Sequence, residues 1–343
     1  LGIFVGRLND KIGPRKVMLV TSCFIGLGFF LTSKIQSILQ LYLFYGIFVG
    51  IGMSSIDVIA LSTTARWFVK RRGIVTGLVK VGTGAGQLVV PLTASLLITG
   101  FGWRTSLVVI GISGMIFLIL ISRLLRRDPE EMRLYSKENT SSKIDPKVFK
   151  DIDLSFGQAI RTHQFWLIFI VNFAVVYCLL IVLVHIVPFV KDLSVSATKA
   201  AGVLSTIGGV SMLGRFSVGF AIDLIGSPRC MQICLLILIA SFIWLQMAHD
   251  LWMLYAFAAI YGIAHGGIFT VISPIVAELF GIRSHGALFG IVVFGGALGG
   301  AIGPVLAGLV FDLTRSYHLI FMALIGLAAL SLLLTLWLKP AHN

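Results

Sequence analysis

Apolar runs free of Asp, Glu, Lys and Arg alternate along this chain with short charged turns. Residues 17–33, 35–56, 81–103, 105–122, 164–190, 200–214, 230–249, 251–277, 284–311 and 316–338 form ten such runs. Most reach the roughly 20 residues that a helix needs to cross a ~30 Å hydrocarbon core. The two shortest become full spans once flanking residues are added, and residues 1–9 read as the tail of an eleventh. Backbone polar groups in lipid must be satisfied within the segment, so each run predicts a helix. The expected fold class is an all-α, polytopic membrane protein.

One charged turn organises the rest. GRLNDKIGPRK at residues 6–16 has a partner in GFAIDLIGSPR at 219–229, 213 positions later. The same offset pairs Gly73 with Gly286, Gly77 with Gly290, Gly82 with Gly295, Gly86 with Gly299 and Pro91 with Pro304. A gapless register over two distant blocks predicts two related halves. We divide the chain into a first half at 1–125, a linker at 126–162 and a second half at 163–343. The first residue, Leu1, stands inside an apolar run. The counterpart of the helix starting near His163 would lie about 50 positions before it. The expectation is therefore a twelve-helix protein seen without its first helix and part of its second.

Charge fixes the expected orientation. If the first turn is cytoplasmic, inner segments hold 20 Lys and Arg and outer segments five. That bias is the positive-inside pattern, so the net charge of +13 is topological and predicts no nucleic-acid partner. The linker has mixed charges, from Asp128 to Arg161, and reads as a polar cytoplasmic loop. A mean hydropathy of +1.00 excludes a soluble domain. Cys23, Cys178, Cys230 and Cys234 lie in or beside apolar runs and read as packing residues, with no metal site expected. No nucleophile–base pair or phosphate loop appears, so neither an enzyme nor a cofactor is expected.

The spacing Gly-x-x-x-Asp-x-x-Gly-x-[Arg/Lys]-[Arg/Lys] of Gly6, Asp10, Gly13, Arg15 and Lys16 resembles a signature of the major facilitator superfamily. The aromatic-Phe-x-Lys-Arg-Arg stretch at 67–72 and the glycine ladder after it resemble the monocarboxylate and oxalate–formate branch. AELFG at 277–281, leading into the Gly-rich run, resembles that branch too. The resemblance covers essentially the whole chain. It implies two six-helix halves in a cell membrane, with the central loop and C-terminus cytoplasmic. It also implies that Asp10 and its basic neighbours form a conformational latch, with Asp223 and Arg229 in the second copy. The plainer alternative is a positive-inside anchor and a turn.

Ionisable residues inside a span are functional candidates because burial in lipid is costly. Asp57, Lys80 and Arg215 fall roughly 15–17 Å above the nearest charged turn, at one level near the midplane. This is where such transporters bind substrate. Two cations and one carboxylate leave a net charge of +1, which a monoanion would cancel. Thr76, Lys80, Thr83 and Gln87 share one helix face, as do Ser211 and Arg215. By resemblance, Arg215 is the carboxylate-binding arginine of monocarboxylate transporters. Relatives often carry an aspartate four residues earlier, where this chain has Ser211; Asp57 is then the expected proton-coupling group, paired with Lys80. The alternative is that each charge pairs with something in the preceding helix. His265, four residues after Tyr261, is a further cavity candidate, whereas His185 reads as a hydrogen-bonded interface residue. The function expected is proton-coupled transport of a small organic anion by alternating access. Rival readings are an anion exchanger, a drug-efflux facilitator and a transport-dead sensor. The expected partners are that anion, protons and the lipid bilayer.

Overall fold

A computed structural model describes residues 2–68, 71–126 and 154–338, and every regular element among them is helical. In chain order these are α1 (Gly2–Ile12), α2 (Pro14–Thr32), α3 (Ile38–Leu41), a π-helical segment (Tyr42–Val49), α4 (Gly50–Met53) and α5 (Ile56–Trp67). They continue as α6 (Arg72–Leu124), α7 (Phe156–Ala159), α8 (His163–Asp192), α9 (Ala197–Ile225) and α10 (Ser227–Gln246). The last three are α11 (Leu251–Phe280), α12 (His285–Thr314) and α13 (His318–Thr335). Among the described residues, nine helical segments are long and apolar enough to cross a membrane. Leu96, Phe101, Val305 and Leu313 are exposed, the last by 85%, as expected for side chains whose solvent is lipid.

One predicted boundary holds and one run is irregular. The runs at 81–103 and 105–122 belong to two helices, both within α6, that meet at a kink at Gly102 (φ 75°, ψ 160°). That left-handed conformation carries no steric cost for glycine, so one residue makes the turn. The run at 35–56 is helical but irregular. A π-helical segment and a short α-helix precede a short break at Ser54 and Ser55, where the backbone keeps right-handed helical angles, and α5 continues the same span. The π-helical segment packs against α2, where Phe48 meets Phe24 at 6.0 Å and Tyr45 meets Phe29 edge-on at 6.2 Å. Side-chain hydrogen bonds hold the break: Ser54 Oγ donates to the Ile51 carbonyl and Ser55 Oγ to that of Gly52.

The chain groups into two compact units. The first comprises residues 1–69, 89–156 and 281–290; the second comprises 70–88, 157–280 and 291–343. They follow the two sequence halves, except that each takes in the start of one Gly-rich helix from the other half. In the second unit α11 is the hub: Phe257, Tyr261, Ala264, Ile268 and Val271 are fully buried along it. In the first, Val5, Val17, Met18 and Ile59 form a small core that Ile121 and Leu125 cover. Most of the predicted linker, at 127–153, lies outside the described residues.

Candidate functional site

The two charged turns are built alike. Gly13 (φ 87°) and Gly226 (φ 84°) each precede a helix with proline in its first turn, α2 and α10. In the first unit, Asp10 bridges two elements. Its Oδ1 accepts from Arg66 Nη2 at 2.5 Å, and its Oδ2 accepts from the Ala287 amide at 2.9 Å. Asp10 thus supplies a carboxylate to the N-terminus of α12, where unsatisfied amides and the helix dipole favour a negative charge. The approach requires Gly6, because any Cβ there would strike the Gly286 carbonyl. In the second unit, Asp223 does the same for α6: Oδ1 accepts from Gly73 N at 2.7 Å and Oδ2 from Ile74 N at 3.0 Å. Each motif aspartate therefore caps a Gly-rich helix of the other half.

The basic residues of the turns behave otherwise. The side chains of Arg15, Lys16 and Arg229 are exposed and form no hydrogen bond or ion pair among the described residues. Arg66, counted from sequence only as an inner charge, takes the place expected for them. A third cap was also missed: Glu278 at the end of α11 accepts from Ser227 Oγ at 2.6 Å and from Ser227 N at 3.2 Å, closing the start of α10. Arg72 lies near this group; burial lowers its guanidinium from the ordinary value, and Glu278 and Asp223 oppose that shift. We expect Glu278→Ala to cost about 1 kcal/mol in a thermal melt. Glu278→Gln, which still accepts from Ser227, should cost less.

Deeper in the second unit, Arg215, Lys80, Ser211 and His265 are all buried, with Arg215 only 2% exposed. Close helix packing brings them together. A Cβ at Gly266 of α11 would strike the Ser211 carbonyl and come within 3.0 Å of Arg215 N. A Cβ at Gly84 of α6 would meet the Met212 side chain and lie 2.6 Å from Arg215 Nη1. The guanidinium therefore occupies the space that Gly84 leaves. Lys80 Nζ lies 6.0 Å from the centre of the Phe269 ring, and Phe269 meets His265 edge-on at 5.1 Å. Tyr261 stacks on the other side of His265 at 5.8 Å. Ser211 Oγ donates to Gly208 O at 2.7 Å, so its proton is engaged within its own helix. Two buried polar atoms here, Thr76 Oγ1 and His265 Nδ1, have no hydrogen-bond partner among the described residues.

The remaining candidates stand elsewhere. Asp57 belongs to the first unit, half-buried in the first turn of α5 just after the break at Ser54 and Ser55. The side chain of Gln87 lies outside the described residues. His185 is hydrogen-bonded, with Nε2 donating to the Pro304 carbonyl at 2.9 Å and Nδ1 facing Tyr317 Oη at 3.3 Å. A carbonyl can only accept, which fixes the tautomer if the imidazole is neutral.

A profile of the Major Facilitator Superfamily matches residues 1–245 and 186–343, which together take in the whole chain. The chain belongs to that superfamily. It is a multi-pass membrane transporter, not an enzyme. Among superfamily members, monocarboxylate transporter 4 of Gallus gallus is 28% identical over 323 residues, covering 91% of this chain. The chain spans 66% of that relative's length. The oxalate:formate antiporter of Oxalobacter formigenes is 28% identical over 319 residues, covering 87% of this chain and 71% of the relative. The fold is similar to that of the human organic anion transporter MFSD10, with a TM-score of 0.76 at 16% identity over 97% of this chain and 80% of that one. The Escherichia coli fucose:proton symporter gives a TM-score of 0.75 at 15% identity, over 99% and 87% of the two chains. Such identities show a shared fold.

Proposed function

We propose that the protein is a secondary transporter of a small organic monoanion, a monocarboxylate, moved with protons by alternating access across a cell membrane. The observation that carries this reading is Arg215, a guanidinium buried mid-helix in space that Gly84 of α6 leaves, one turn along that helix from the buried Lys80. A buried guanidinium presents a planar fork to a carboxylate and holds it by two parallel hydrogen bonds. Lys80 adds a second positive charge, and Phe269 borders the site with an apolar ring. The names of the monocarboxylate and oxalate:formate relatives agree with this chemistry.

The capped helix starts serve the conformational cycle. With the charged turns facing the cytoplasm, Asp10 and Asp223 hold the inner ends of α12 and α6 in one access state and release them in the other. A second reading, exchange of one anion for another, is favoured by the antiporter relative.

Gly84→Val tests the site without touching a charge. Its side chain would enter the space of Arg215 Nη1 and Met212, so uptake of labelled monocarboxylate should fall at least tenfold. Membrane insertion, read by surface labelling, should persist. Unchanged uptake would mean that the guanidinium is not held where it serves transport.

A further inference from the structure

The proposed anion site lies in the second unit, among whose described residues no carboxylate stands at mid-helix. Every described Asp or Glu of that unit lies at a helix end or just outside one: Asp192, Asp223, Asp250, Glu278 and Asp312. His265 by contrast stands at the middle of α11. Among the described residues of the second unit the buried charged side chains are Arg215 on α9 and Lys80 on α6, the latter 6.0 Å from the Phe269 ring that His265 also meets, and α10 adds the Cys234 thiol beside Gly267. Gly266, the next residue, packs so closely on α9 that a Cβ there would come within 3.0 Å of Arg215 N. Ser211, four residues before Arg215, supplies no acid. The imidazole is held between Tyr261 and Phe269, and its Nδ1 is buried without a partner among the described residues.

We propose that His265 is the proton-binding group of this site and that it takes up its proton together with the anion. The inference rests on the anion-binding reading of Arg215. A proton on His265 adds positive charge beside the guanidinium. An anion on Arg215 cancels that opposition, so each ligand promotes binding of the other. The exchange balances: free imidazole, proton and anion enter, and an imidazolium beside a neutralised guanidinium results. Release of the anion returns the proton to the same side. Coupling then follows because a proton without the anion is the disfavoured state.

The test measures proton uptake directly. Formate, acetate and benzoate are titrated into the purified whole protein in two buffers of different ionisation enthalpy, across the neutral pH range. Wild type should take up about one proton per bound anion and bind roughly tenfold tighter for each unit of falling pH. His265→Gln should still bind the anion, more weakly, with that uptake lost; Asp57→Asn should keep it. Binding without proton uptake in wild type, or full uptake in His265→Gln, would overturn the proposal while leaving the anion site standing. No binding of any of the three anions would overturn the reading of Arg215 and this one with it. Because the wild-type pH dependence needs no variant, a poorly folding His265→Gln does not spare the proposal.

Discussion

Arg215→Lys should abolish most anion uptake, by a hundredfold or more, while the protein still reaches the membrane. The charge is kept, but a flexible ammonium replaces a planar fork, and the two parallel hydrogen bonds to a carboxylate cannot form. Loss of one strong charge-assisted hydrogen bond, about 1.5–3 kcal/mol, alone gives roughly ten- to hundredfold. Misplacement of the bound anion adds to this. The neighbourhood offers little relief, since the space beside Gly84 fits a guanidinium that Met212 and α6 already border. Uptake is measured against surface expression. Wild-type uptake in Arg215→Lys would remove this residue from the site.

Asp10→Ala should be the most damaging change at the charged turns. It strips the N-terminus of α12 of its carboxylate and leaves Arg66, only 8% exposed, without its bonded partner. Breaking a buried ion pair from one side costs about 3–5 kcal/mol, mostly from the charge left behind. The double change Asp10→Ala with Arg66→Met should therefore be better tolerated than Asp10→Ala alone. Thermal stability of the purified protein checks the ordering. In transport terms, Asp10→Ala should raise labelling of cysteines placed on the charged-turn side, because that side is held less firmly. If the double variant is no more stable than the single one, Arg66 and Asp10 do not act as a pair.

These two sites differ in how much of them the sequence discloses. Arg215 and Lys80 are conspicuous because a charge inside an apolar run is rare and helical spacing sets its depth. Asp10 is conspicuous as half of a repeat. Its partners are not, because Arg66 and the Ala287 amide come from positions 56 and 277 residues away, and no local pattern encodes that meeting. The basic residues nearest in sequence, Arg15 and Lys16, point to the exposed surface instead. The cap of Glu278 on Ser227 is hidden for the same reason: at the repeat offset its counterpart is Ala65, so symmetry gives no hint of it.

Asp57 differs again. Its distance from the nearest charged turn reads as a deep membrane carboxylate, and it belongs to the first unit whereas Lys80 belongs to the second. The break at Ser54 and Ser55 just before it is made by serine back-bonds and ring packing, which leave hydropathy unchanged, so the apolar pattern could not report it. His265 was visible as a residue but not as a chemical group. Its character comes from Tyr261, Phe269 and Arg215 around it, and only packing brings the last of these near.

The central claim is that a buried cationic site selects a small monoanion. Counterflow in proteoliposomes of the purified whole protein tests it most directly, with vesicles preloaded with one unlabelled compound from a panel and a trace of labelled monocarboxylate outside. Small monocarboxylates should drive accumulation of label, dicarboxylates and uncharged amides should not, and Arg215→Lys should show none. Accumulation driven equally well by an organic cation or a neutral amide, or retained in Arg215→Lys, would contradict the account.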